Sequence, residues 1–329
     1  MLQSNLPWIE SPFFYQILQT KNASAGQKEM AQFYHEQGYV KLSNVIPSAL
    51  IDQVIDEARD KGFNTDFPME TMRDQVRVQD LWRYSEPVQT LASHQPVLDV
   101  LEFFYGREVI PFQTLNFSVG SQQRAHSDSI HFSSLPSRYM CGVWVALEDS
   151  TDENGPLFYY PGSHKMPEYN FAQIKETADP TSYEDYKEYE DFMEALLEVS
   201  AYKKEIFLAK KGDVLIWSSN IIHGGMPVLK SGSSRWSQVT HYFFKDCYYY
   251  TPMLSNMATD ELFLRNHLMN IKTKEVVMPS YNGQKINYLR TSTNKYIVNP
   301  GHSLYDVLKG YGKRYAKKLL GRTTSNLDY

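Results

Sequence analysis

The sequence predicts a mainly β fold with helical flanks, and a change of pattern near residue 105 predicts it. Before that point apolar residues recur at helical spacing. Between Arg107 and Tyr250 they fall instead into short β-branched and aromatic runs punctuated by Gly and Pro. Many short strands divided by turn signals mean an antiparallel sandwich or barrel. A third observation selects the variety: His126-Ser127-Asp128 and His223 stand inside the strand-rich region. Metal-binding side chains in that setting indicate a double-stranded β-helix, a jelly-roll barrel of the cupin-like kind.

Taken in order, Ser24 offers a polar cap, Met30, Phe33 and Tyr34 follow at helical spacing, and Gly38 stands where a left-handed residue ends a helix. Tyr39 to Leu42 alternates like a short strand. After Pro47-Ser48, the residues Leu50, Ile51, Val54, Ile55 and Ala58 mark a second helix, and Leu91 through Phe104 a third. Strands are expected at 109–112, 114–119, 141–147, 157–160, 205–208, 213–217 and 238–244. An insert over 168–204, rich in Glu and Asp around Tyr183, Tyr186, Tyr189 and Phe192, reads as an acidic helix with a solvated face, with a lid over the site as the alternative. From Thr251 to Val298 the signals are mixed. Ser303 with Asp306 then resembles a capping box before a basic amphipathic helix that reaches Leu319. The chain therefore reads as one domain over 1–329. Residues 1–105 are a helical flank, 106–250 the jelly-roll core with its insert 168–204, and 251–329 a C-terminal extension.

Composition narrows the function. With 329 residues, 42% hydrophobic and 14% aromatic, the chain can bury a large core, and a net charge of −5 argues against nucleic acid as a partner. Cys141 and Cys247 are too few for a disulfide framework, which fits a reducing cytoplasm. No stretch approaches the length of apolar residues needed to span a membrane. A small-molecule substrate is the expected partner.

Two residues apart on an extended strand share a face, so His126 and Asp128 can meet one metal, and His223 completes the set from a second strand. Two imidazoles and one carboxylate form the facial triad of non-haem Fe(II) oxygenases, which leaves positions for O2 and an oxo-acid. Gly224-Gly225 let backbone approach closely. Arg235 leads into a strand that should line the barrel, where an inward guanidinium needs an anion; a distal carboxylate supplies one through a two-pronged contact. Ser237 shares its face. Asn116, an uncommon residue for a strand, is a candidate for the other end of the oxo-acid. His131, Phe132 and Trp144 are candidate substrate contacts, with Trp217 beside them, although aromatics in a barrel are mostly core. Pro161-Gly162-Ser163-His164 reads as a structural turn, and His35, His94, His241, His267 and His302 have no spacing that recommends them.

The chain resembles the phytanoyl-CoA dioxygenase superfamily of Fe(II)/2-oxoglutarate oxygenases. The matching residues are Phe33 to Val45, His126-Ser127-Asp128, Trp144 to Asp149, Asn154-Gly155-Pro156-Leu157, Pro161 to Lys165, Gly212-Asp213, His223-Gly224 and Arg235. The resemblance implies that His126, Asp128 and His223 bind iron, that Arg235 anchors 2-oxoglutarate, and that Asn116 helps at its other end. It also implies oxidative decarboxylation of 2-oxoglutarate with O2, giving succinate and CO2, with hydroxylation of an unactivated C–H as the default outcome. Halogenases in the superfamily replace the metal carboxylate by a small residue, and Asp128 argues against that chemistry. A cupin-like isomerase or lyase would leave Arg235 and Asn116 without work, and a non-catalytic binding protein would not need the whole triad.

Overall fold

Strands whose residues are apolar on both faces need cover on both sides, and the central strands here have it. A computed structural model describes residues 5–62, 72–73, 77–174, 183–257, 261–284, 287–292, 295–299, 308–309 and 312. Its helices are α1 (Phe14–Thr20), α2 (Ala25–Gln37), α3 (Ser48–Glu57), α4 (Glu86–Ala92), α5 (Gln95–Tyr105), α6 (Phe171–Ile174) and α7 (Tyr183–Val199). The strands of the core are β1 (Tyr39–Leu42), β2 (Met72–Arg73), β3 (Arg77–Gln79), β4 (Val109–Phe117), β5 (Ser133–Leu135), β6 (Met140–Ala146), β7 (Leu157–Tyr159), β8 (Glu205–Phe207), β9 (Val214–Ser218), β10 (His223–Gly225), β11 (Ser237–Phe244) and β12 (Tyr248–Tyr250).

Seven strands form one antiparallel sheet in the order β1-β9-β6-β11-β4-β3-β2, with β10-β7-β8 and β12-β5 as smaller sheets. Register decides what each face of the large sheet carries. Gly142 pairs with Trp217 and His241, Trp144 with Leu215 and Val239, and Ala146 with Ser237, so these share the inner face. There Trp144, Leu215, Trp217 and Val239 pack with Leu157, Tyr159 and Phe207 of the small sheet. The alternate residues Val143, Val145, Val214 and Ile216 face the other way, into a core with Ile51, Val54, Val88, Leu91, Leu98 and Leu101 of the flanking helices. The helical flank is thus one outer layer of the sheet, as its apolar faces require.

Helix α2 starts at Ser24 through a capping box with Gln27 and stops at Gly38 in the left-handed conformation, as its residues dictate. The helix expected over Leu91 to Phe104 is two. Pro96 has no N–H with which to continue α4 but is tolerated in the first turn of a new helix, and the chain turns at Ser93-His94 between α4 and α5. Two expected strands, 109–112 and 114–119, are instead the single β4, whose pairing with β11 shifts register between His241 and Tyr242. Beyond β12 the extension contributes further antiparallel strands, Glu261–Phe263 among them. The basic C-terminal helix lies mostly outside the described residues; positions 308, 309 and 312 are helical. Among the described residues no helix is long and apolar enough to cross a membrane.

Candidate metal centre

His126 and His223 face each other across a two-residue antiparallel bridge, with N–H···O bonds of 3.0 and 2.9 Å in the two directions. Ser127 is extended, but Asp128 does not continue a strand: it opens a single 3-10 turn, Asp128–Ile130, and still swings its carboxylate between the two rings. Asp128 Oδ1 lies 3.8 Å from His126 Nε2 and 3.9 Å from His223 Nε2. A cation about 2.1 Å from each donor spans such a gap. All three residues are buried, and their donor atoms lie within 4.8 Å of one another.

The tautomers are set locally. His126 Nδ1 meets Arg124 O at 2.9 Å and His223 Nδ1 meets Ile221 O at 3.2 Å. A carbonyl can only accept, so each Nδ1 carries the proton and each Nε2 presents its lone pair to the shared space. Burial lowers the pKa of His126 to about 3, and the neighbouring His223 ring acts in the same direction, which keeps the His126 ring neutral and able to ligate. Burial by itself would raise the Asp128 carboxyl; the electrostatic influence of the His223 imidazole and the contact with His241 outweigh it and hold the group well below the usual carboxylate range.

Asp128 has a second oxygen, and the inner face of the sheet holds it. Trp217 Nε1 donates to Oδ2 at 2.8 Å, and His241 Nε2 lies 3.6 Å from the same atom. The Trp217 indole can lie there because its neighbour on β6 is Gly142, where a Cβ would come within 2.3 Å of the ring. Gly224 likewise has no room for a side chain, since a Cβ would lie 2.6 Å from Gln123 O. His241 carried no signal by spacing from the triad. It does share the alternation Arg235, Ser237, Val239, His241, which places it on the same face as the candidate anchor.

Arg235 is 2% exposed, and its Nε and Nη1 have no hydrogen-bond partner within the protein. Its Cζ lies 5.4 Å from the Trp144 ring centroid and 6.0 Å from that of Phe117. Burial lowers its pKa to about 10, against a smaller opposing effect of Glu148, so it stays charged at neutral pH. Ser237 Oγ and Trp144 Nε1, on the same face, are also buried without partners. A buried cation beside two unused polar groups is a site prepared for an anion.

The structure does not bring Asn116 to this site. It pairs with Gln238 and Val78 on the helix-facing side of the sheet, where its Nδ2 donates to Gln238 Oε1 at 3.1 Å and Gln238 in turn reaches Val88 O of α4. Strand parity, which the sequence does not reveal across the loop to His126, separates the two. His131 and Phe132 do lie by the triad: Phe132 is 4.8 Å from the His241 ring, and His131 Nε2 meets Tyr186 of α7 at 3.2 Å. The acidic insert is more than a solvated face. Tyr189 Oη accepts from Ser127 N at 3.3 Å, Arg124 pairs with Asp191 and Glu194, and Tyr189, Met193 and Leu197 pack on Ala125, Ile130 and Ile222. His164 is structural, with Nε2 on His35 O at 3.1 Å.

Comparison with known proteins gives the chain's relatives. A family model described as phytanoyl-CoA dioxygenase matches residues 34–236. Human peroxisomal phytanoyl-CoA dioxygenase is 22% identical over 67% of this chain and 69% of that protein. A Dictyostelium discoideum homologue of phytanoyl-CoA dioxygenase domain-containing protein 1 is 31% identical over 40% of this chain and 44% of its own length. A Danio rerio relative is 44% identical over 14% of this chain and 16% of its own. The chain thus spans less than half the length of these last two curated relatives. Among solved structures, EctD from S. alaskensis with 2-oxoglutarate and 5-hydroxyectoine superposes with a TM-score of 0.54 at 20% identity, covering 74% of this chain and 83% of that one. The carbocyclase SnoK from nogalamycin biosynthesis gives 0.54 at 19%, covering 69% and 87%. At those identities the likeness is one of fold.

Proposed function

This chain belongs to the phytanoyl-CoA dioxygenase family, and from that premise we propose that it is an Fe(II)/2-oxoglutarate-dependent dioxygenase that hydroxylates a small molecule. The observation that carries the reading is the buried, unpartnered guanidinium of Arg235 on the same sheet face as a triad of donors. Arg235, Ser237, Val239 and His241 alternate along one face, with His241 at the Asp128 end, so a dicarboxylate held by Arg235 would lie along that face toward the donors.

When bound, iron supplies the O2 chemistry, and the chain's own residues prepare its surroundings. His126, Asp128 and His223 offer three donors on one side and leave the opposite positions for ligands. Trp217 holds Asp128 Oδ2, so Oδ1 is the donor. Arg235 takes the distal carboxylate of 2-oxoglutarate, with Ser237 and Trp144 donating beside it. His131, Phe132 and α7 border the space left for substrate and exclude water from it. The jelly-roll reading, with the large sheet and the β10-β7-β8 sheet as its two walls, and the single domain over 1–329 belong to the same proposal. Cys141 and Cys247 are free thiols, which fits a reducing compartment such as the cytoplasm.

Anaerobic titration of the Fe(II) protein with 2-oxoglutarate should give a metal-to-ligand absorption band, and admitting O2 should release succinate. Iron binding without either signal would favour a cupin-like isomerase or lyase, or a binding protein without turnover.

A further inference from the structure

Near the triad the chain carries a second guanidinium that neither metal nor oxo-acid uses. Arg265 comes from the extension after β12, where its backbone N–H donates to Tyr249 O at 2.8 Å and its Nε to Thr251 Oγ1 at 3.0 Å. These bonds turn its head back over the core. Its Cζ lies 4.6 Å from the Phe132 ring centroid and 5.8 Å from that of Phe112. Phe132 lies 4.8 Å from the His241 ring, and His241 Nε2 is 3.6 Å from Asp128 Oδ2. One benzene ring and one imidazole therefore separate Arg265 from the metal carboxylate.

The surroundings are cationic and aromatic. His131, with its ring 6.0 Å from Phe132, and Arg77 of β3 belong to the same field: burial lowers the pKa of His131 to about 4, and Arg265 and Arg77 add to that against Asp128. Arg265 is itself brought down to about 10 by burial, offset in part by Asp80. Asp80 is already committed, accepting from Trp82 Nε1 at 3.1 Å and Thr114 N at 3.2 Å. Among the described residues no carboxylate forms an ion pair with Arg265. Arg265 is half-buried, and with no protein carboxylate paired to it, an incoming anion beside Phe132 meets a guanidinium that is still free to take a charge-assisted contact.

That anion is not the distal carboxylate of 2-oxoglutarate. Arg235 lies by Trp144 and Phe117, whereas Arg265 lies by Phe112 and Phe132, and His241 stands between the two ends. A single guanidinium set on aromatic walls matches one planar monoanion in a two-pronged contact, while a phosphate dianion calls for more donors. We propose that Arg265 is a specificity residue that binds a carboxylate of the substrate, and that Phe132, Phe112 and Tyr186 hold the apolar body of the same molecule. The proposal rests on the dioxygenase reading and names its substrate class: an amphiphilic carboxylic acid.

The test uses the anaerobic Fe(II) protein saturated with 2-oxoglutarate and a probe series of hexanoate, octanoate and 3-phenylpropanoate, each beside its primary amide. Binding is followed by calorimetry and by the shift of the metal-to-ligand band. At least one acid should bind tenfold or more tightly than its amide. Arg265→Gln should erase that difference, Arg265→Lys should keep part of it, and 2-oxoglutarate affinity should change less than twofold in both. Acids no better than amides throughout the series would overturn the proposal, as would an acid preference that survives Arg265→Gln or a loss of 2-oxoglutarate binding in a folded Arg265→Lys. Failure of the dioxygenase reading would look different: wild-type protein with iron would form no 2-oxoglutarate band at all.

Discussion

Replacing Arg235 by Met should weaken cosubstrate binding severely and yet leave the metal-free protein at least as stable. The argument is one of an uncompensated charge. Burial takes the pKa of Arg235 from its ordinary 12.5 to about 10. At about 1.4 kcal/mol per pKa unit, holding the charge costs the free protein on the order of 3 kcal/mol. Glu148 offsets little of this, because its carboxylate already accepts from Trp236 N and Ser234 Oγ. Methionine fills much of the same volume between Trp144 and Phe117 without that cost, and exchanges of this kind are neutral or stabilising by roughly 1–4 kcal/mol. Binding should respond in the opposite sense, since losing one partner of a buried charged pair costs about 2–5 kcal/mol, or roughly thirty- to several-thousandfold in Kd. Denaturant melts of the metal-free proteins and anaerobic 2-oxoglutarate titrations of the Fe(II) proteins measure the two effects separately. A variant that binds 2-oxoglutarate within threefold of wild type, or whose metal-free form is clearly less stable, would refute the reasoning.

Asp128→Ala and His223→Ala should each lose most of their iron, measured as metal per chain after gel filtration; full occupancy in both would remove the triad from the metal site. Trp217→Phe keeps the ring but removes the N–H bonded to Asp128 Oδ2, so metal affinity should fall about ten- to a hundredfold with little change in the melt. Gly142→Ala, whose Cβ would press on Trp217, should combine that loss of affinity with a destabilisation of roughly 1–3 kcal/mol. Burial pushes the Cys247 thiol up to about 12 and Cys141 well above its usual range, so neither should react with a thiol reagent at pH 8 until the protein is unfolded.

What could be read from the sequence was whatever rests on neighbours in the chain. The His-x-Asp step, the cap at Ser24 and the helix stop at Gly38 are local: the cap and the stop form where those residues stand, and His126 and Asp128 do converge, though Asp128 does so from a 3-10 turn and not from a strand. What escaped depends on register. Asn116 and Arg235 both read as strand polar groups bound for one ligand, but Asn116 pairs with Gln238 and so belongs to the other face. Strand β10, His223–Gly225, has two glycines in three residues and no β propensity to announce it. His241 was legible in principle, being an even number of residues from Arg235 and Ser237. Arg265 was not, because its approach to Phe132 depends on a fold of the extension that no periodicity marked.

The two kinds of support around the metal donors divide in the same way, and this bears on how the site is made. The imidazoles take their orientation from carbonyls two residues back, Arg124 O and Ile221 O, so each tautomer is set by its own segment. The carboxylate takes its orientation from Trp217 and His241, on strands far away in sequence, and those side chains reach it only when β9 and β11 are paired with β6 through Gly142. The histidine bridge brings two donors together, but a competent third donor requires the large sheet to be in register. A one-residue slip of β11 would turn His241, Ser237 and Val239 to the helices and leave Asp128 without one of its holders. Metal affinity should therefore report on sheet register, and a sheet substitution remote from the triad that lowers it should do so through Asp128 Oδ2.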